Sequence, residues 1–111
     1  MDFETACELV MKQALIGDPP TDAFLARLQQ LQPPVPGQVT SLLLALKVIA
    51  DRLKAETRLD RQLAYALHQL AYRSRWCYEK GRRRQVDWPP LLDEDVERIA
   101  IAIERIFAGQ G

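Results

Sequence analysis

The stretch from Leu59 to Arg84 constrains this chain more than any other, because it carries two apolar stripes on one helical period. At 100° per residue, Leu59, Leu63, Ala66, Leu70, Ser74 and Cys77 fall on one face. Tyr65, Tyr72 and Trp76 fall on another, roughly 120–140° round the axis. A helix that is sticky on two sides must pack on both, inside its own fold or across a subunit boundary. Arg73, Arg75, Lys80, Arg82, Arg83 and Arg84 then crowd its end, with Glu79 the only acid among them. Such a segment speaks of association rather than of chemistry.

Proline and glycine divide the rest of the chain into further helical segments, five in all. The first runs from about Asp2 to Ile16, with Phe3, Ala6, Cys7, Val10 and Ala14 on one face. Gly17 suits the left-handed position after it, and Pro19-Pro20 prevents continuation. Thr21 or Asp22 can cap a short second helix to about Gln32, striped by Phe24, Leu25, Leu28 and Leu31. Pro33-Pro34-Val35-Pro36-Gly37 is a stiff connector whose role is to set the angle into the third helix.

The third helix, about Gln38 to Glu56, is the most apolar. Val39, Leu42, Leu43, Leu46, Ile49, Ala50 and Leu53 make a broad face; Leu44, Val48 and Ala55 make a narrower one. Thr57-Arg58-Leu59-Asp60 reads as a capping-box variant that opens the fourth helix, which ends at Gly81 or runs on to Arg84. The short connection predicts a central antiparallel hairpin of residues 38–56 and 58–82. After Trp88-Pro89-Pro90, whose indole is expected to plug the bundle end, Asp93 is the natural N-cap of the fifth helix. Glu94, Asp95 and Glu97 follow where the macrodipole favours anions, and Val96, Ile99, Ala100, Ile103, Ile106 and Phe107 form its stripe up to Gly109. No useful strand-like alternation appears. The expectation is an all-α, five-helix compact bundle forming one domain over residues 1–111.

Composition narrows the function classes. Apolar residues make up 48% and charged residues 27%, so the chain is globular rather than disordered. Fifteen basic and fifteen acidic residues cancel, which excludes a general polyanion binder. The charge is nevertheless polarised: Arg73–Arg84 holds six cations and one acid, whereas Asp87–Glu97 holds five acids and no base. Cys7 and Cys77 sit at apolar-periodic positions and are read as small buried hydrophobes, not a disulfide framework. The acidic start Met1-Asp2-Phe3-Glu4 has no apolar run behind it, and no stretch reaches membrane-spanning length, so a cytoplasmic setting is expected.

Few residues qualify for chemistry. His68 is the only histidine, on the polar side of its helix, with no glutamate three residues before it and no second histidine for a bundle metal site. Asp93, Glu94, Asp95 and Glu97 diverge around a helix start and lack the alternating oxygen ligands of a calcium loop. There is no glycine-rich phosphate loop and no GxSxG elbow. No catalytic, metal or cofactor residues are assigned, and the chain is expected not to be an enzyme.

The partner-binding candidates are Tyr65, Tyr72, Arg73, Arg75, Trp76, Lys80, Arg82, Arg83 and Arg84. The aromatics are open to three readings: a stacking surface, a homodimer interface, or packing on the first or second helix. The cations are either a docking patch for an acidic protein or phosphate, or a helix end that offsets its own dipole and pairs with Asp93, Glu94 or Asp95. As a helix, Arg73, Lys80 and Arg84 share one side while Arg75 and Arg82 point nearly opposite, unlike a groove reader. A self-associating protein-interaction module, a homodimer with Tyr65, Tyr72 and Trp76 or Leu44 and Val48 as its second contact surface, is the leading expectation. A module binding RNA or single-stranded DNA through Arg73–Arg84 is the alternative. The minimal Pro33-x-x-Pro36 pattern adds only a weak ligand signal.

The strings PPVPGQVTSLLLALK at 33–47, LDRQLAYAL at 59–67 and DWPPLLDEDVERIAIAIE at 87–104 resemble a small cyanobacterial protein family, mostly of unknown function. Some of its members carry a dethiobiotin synthetase label. The residues here contradict that label, because such an enzyme needs a GxxxxGK[ST] loop on an α/β sheet, and this chain has neither. The resemblance implies a cyanobacterial cytoplasmic origin and carries no site residues.

Overall fold

The computed structural model describes residues 1–111: five helices and no strand, the all-α bundle expected from the periodicity. They are α1 (Phe3–Gln13), α2 (Phe24–Gln29), α3 (Gln38–Leu53), α4 (Arg61–Arg83) and α5 (Leu92–Phe107). Two starts are capped as local chemistry dictates. Asp2 accepts the Thr5 N–H at 2.8 Å and Asp60 accepts the Leu63 N–H at 3.0 Å, each satisfying an otherwise orphaned donor. Asp60, not Thr57, is the N-cap of α4, so the helix starts at Arg61 rather than at residue 58.

Several helix ends correct the expectation. α1 stops at Gln13 because Leu15, not Gly17, takes the first left-handed position (φ 66°), letting Ile16 N–H return to the Met11 carbonyl. α2 is six residues long, starts after Ala23 without a side-chain cap, and ends before Leu31 (φ 60°). α3 ends at Leu53 rather than Glu56. α4 runs straight through Gly81 and turns off at Gln85 (φ 62°), with Val86 N–H on the Gly81 carbonyl. Leu15, Leu31 and Gln85 accept a strained geometry that sequence signals assign to glycine. Asp93 is not the N-cap of α5. Leu91 holds that place, and Asp93 lies within the first turn.

The helices close around one core cluster that draws residues from all five. α1 and α5 each pack on both α3 and α4, and α2 covers α4 beside α1. α3 and α4 are therefore diagonal across the bundle with only slight direct contact, which corrects the side-by-side hairpin of 38–56 and 58–82. The cause is stripe width. Leu42, Ala45, Leu46, Ile49 and Ala50 bury an arc of α3 broad enough for two neighbours, and Leu63, Ala66, Leu67, Leu70, Ser74 and Cys77 do the same on α4. The Ser74 hydroxyl is satisfied inside this core by the Leu70 carbonyl one turn back.

Polar joints fix the remaining angles. The Gln13 carboxamide oxygen accepts the Phe24 N–H at 2.5 Å and the Gln38 side-chain N–H at 3.1 Å, so it ties α1, α2 and α3 at one point. The Pro33–Gly37 connector is held by Arg27 on the Pro33 carbonyl and by the Val35 N–H on Gln38. The molecule measures 43 × 26 × 22 Å, and α4, about 34 Å long at 1.5 Å per residue, is the helix able to run most of its length. No helix is long and apolar enough to cross a membrane.

Candidate functional site

The outer face of α4 is where the sequence-flagged residues meet. Packing turns Leu63, Leu67, Leu70 and Cys77 inward, and the helical period then forces Tyr65, Tyr72 and Trp76 outward. These rings are 54%, 52% and 41% exposed, so packing on the first or second helix is excluded. They line up along α4 over about 16 Å from Tyr65 to Trp76.

A ladder of rings and cations runs along this face. His68 stacks on Tyr72 with centroids 5.6 Å apart and planes 6° from parallel. The Arg73 guanidinium stands 5.6 Å from the centroids of both Tyr72 and Trp76, and Lys80 Nζ lies 5.0 Å from that of Trp76. Each such contact contributes about 0.5–1 kcal/mol at an exposed position, enough to hold a rotamer. Arg73, Lys80, Arg83 and Arg84 make no ion pair within the chain.

Arg75 and Arg82 belong to a different arrangement, as their opposite facing suggests. Arg75 donates to Asp93 at 2.6 Å and to Glu97 at 3.2 Å, and lies 3.6 Å from Glu79. The hydrogen bond to Asp93 pushes its guanidinium further above the usual arginine range, reinforced by Glu97 and Glu79 and opposed by partial burial. Arg82 pairs with Glu79 at 3.1 Å. Arg75 thus clamps α4 to the acidic first turns of α5, the pairing of cations with Asp93 that the charge polarity allows. Besides this clamp, Arg75 lines a shallow surface pocket together with Tyr72, Trp76, Glu79 and Arg83.

Two further features are not legible in the sequence pattern. Gly81 is buried in the last turn of α4 because the Trp88 indole lies on it: an added Cβ would meet the ring atoms at 2.5–2.6 Å. Trp88 donates to the Tyr78 carbonyl at 3.0 Å and stacks on the Tyr78 ring at 6.4 Å, which closes the bundle end as expected of it. The second feature is an open groove of about 400 Å³ between α3 and α5, floored by Leu46, Ala50 and Ala102 and rimmed by Lys47, Arg98 and Arg105.

The chemical equipment is sparse. No three His, Cys, Asp or Glu side chains come together to hold a metal ion. Burial pushes both thiols up from their usual range, Cys7 with help from nearby Asp60, and Cys77 against the pull of Lys80 and Arg73. Neither is a prepared nucleophile. No protein-family model, no curated protein and no solved structure matches this chain.

Proposed function

We propose that this protein is a non-enzymatic helical association module whose docking surface is the outer face of α4, and that it self-associates through it as a homodimer. One observation carries this: Tyr65, Tyr72 and Trp76 stand exposed in a single row on the longest helix. Tyr, Trp and Arg are the side chains that anchor protein interfaces, and exposed apolar patches of this kind mark interaction surfaces. The proposed setting, on the sequence resemblance, is the cyanobacterial cytoplasm. At micromolar concentration, light scattering should give twice the 12.7 kDa chain mass. A Tyr72→Ala/Trp76→Ala variant should run as a monomer with unchanged helical circular dichroism. A wild-type chain that stays monomeric at high concentration removes the reading.

A second reading, single-stranded nucleic-acid binding, is favoured by the four cations that lack an acidic partner beside stacked rings. Three phosphate contacts would give log affinity a slope of about −2 against log salt. Charge removal at Arg82, Arg83 and Arg84 should flatten that slope, and no binding at low salt sinks the idea.

A further inference from the structure

We infer that the occupant of the α4 face is a second copy of the chain lying antiparallel on it, related by a two-fold axis that passes between residues 70 and 71. This rests on the reading that the chain self-associates through α4, and adds to it the orientation and register.

Charge decides the orientation. In a parallel pair, Arg82, Arg83 and Arg84 of one copy would adjoin the same three arginines of the other, and the cluster holds one acid, Glu79. Like charges on adjoining helices destabilise. An antiparallel pair sends the two basic ends to opposite ends of the assembly, about 34 Å apart, beyond screening distance at physiological salt. It also sets the two helix dipoles head to tail.

Residue spacing decides the register. In an antiparallel two-fold pair, residue i faces residue j on the same flank of the helix, and j faces i. Tyr65 and Trp76 lie at the centre of the exposed face, and their midpoint falls between residues 70 and 71. Arg61 and Glu79 share one flank, with a midpoint at 70; Gln62 and Lys80 share the other, with a midpoint at 71. One register therefore seats Tyr65 on the second copy's Trp76, joins Arg61 to its Glu79, and places Gln62 beside its Lys80. Arg61 has no ion pair within the chain, whereas Glu79 already holds Arg75 and Arg82 and adds a third cation. Tyr72 and Gln69 meet across the axis. Each basic end then lies beside residues 57–60 of the other copy, where Asp60 and Arg58 are the charged neighbours.

Cross-linking reads this geometry directly. Gln69 lies near the axis, so Gln69→Cys copies approach within about 5 Å along it, whereas Gln62→Cys copies stand about 25 Å apart. A short bis-maleimide should join Gln69→Cys chains and leave Gln62→Cys chains unjoined, with wild type as the control for Cys7 and Cys77. Arg61→Glu should weaken the dimer about tenfold, and Arg61→Glu/Glu79→Arg should restore it. Equal cross-linking at both positions means a parallel pair and overturns the inference while self-association stands. A dimer joined at neither position, or without charge-swap rescue, overturns it too. A monomer by light scattering overturns the underlying reading instead.

Discussion

Gly81→Ala should destabilise the protein even though alanine favours a helix interior by about 1 kcal/mol. The new methyl group meets the Trp88 ring, and overpacking of that kind costs about 1–3 kcal/mol. Urea denaturation should show the loss, and the same substitution in a Trp88→Ala background should cost little, because the two residues share one contact. The buried thiol of Cys77 carries a pH dependence. Its value is raised on folding, mainly by burial, so it stabilises the fold below the range of an exposed thiol. That contribution should fade as pH climbs beyond about 8.5. In a Cys7→Ser background, thiol labelling with a chromogenic disulfide at neutral pH should then track unfolding rather than simple access. At this scale the sequence was a partial guide. Cys77 as a small buried hydrophobe follows from period alone, whereas period leaves Tyr72 free to face either solvent or another helix. Gly81 reads as a helix stop, because the ring that needs the space arrives only after the chain doubles back. Leu15, Leu31 and Gln85 hide their left-handed turns for the reverse reason: the surrounding packing sets them, not their own preference.

Among elements, the α4–α5 junction depends on Arg75 gripping Asp93 and Glu97. The arginine is one-third exposed and its partners nearly two-thirds, so solvent discounts the pair heavily. Arg75→Ala should cost no more than about 1 kcal/mol, and a double-mutant cycle with Asp93→Asn should yield about 0.5 kcal/mol, shrinking in high salt. Thermal unfolding of the four proteins checks both. Element existence was legible throughout, since five amphipathic runs became five helices. Neighbour choice was not. A short link between α3 and α4 suggests that they pack together, yet each has a stripe wide enough for two helices, and α1 and α5 fill the space between them. Periodicity gives the width of a stripe but not the identity of what covers it.

For the whole molecule, one core shared by five helices leaves no part to unfold alone, so Leu70→Ala should lower stability by about 2–5 kcal/mol in a single transition. Calorimetry should return matching calorimetric and van't Hoff enthalpies. The candidate surface was visible in the chain as a second stripe beside a basic run. Its exposure was not, because the same stripe could have met an inner helix. The placement of the two tryptophans has an optical consequence. Trp88 is half-buried against Gly81 and Tyr78, while Trp76 stands exposed on the outer face of α4. Trp88→Phe therefore leaves one fluorophore that brightens or shifts when something covers α4, and Trp76→Phe leaves one that answers to the integrity of the fold. The chain carries its own two-channel emission, one channel for company and one for shape.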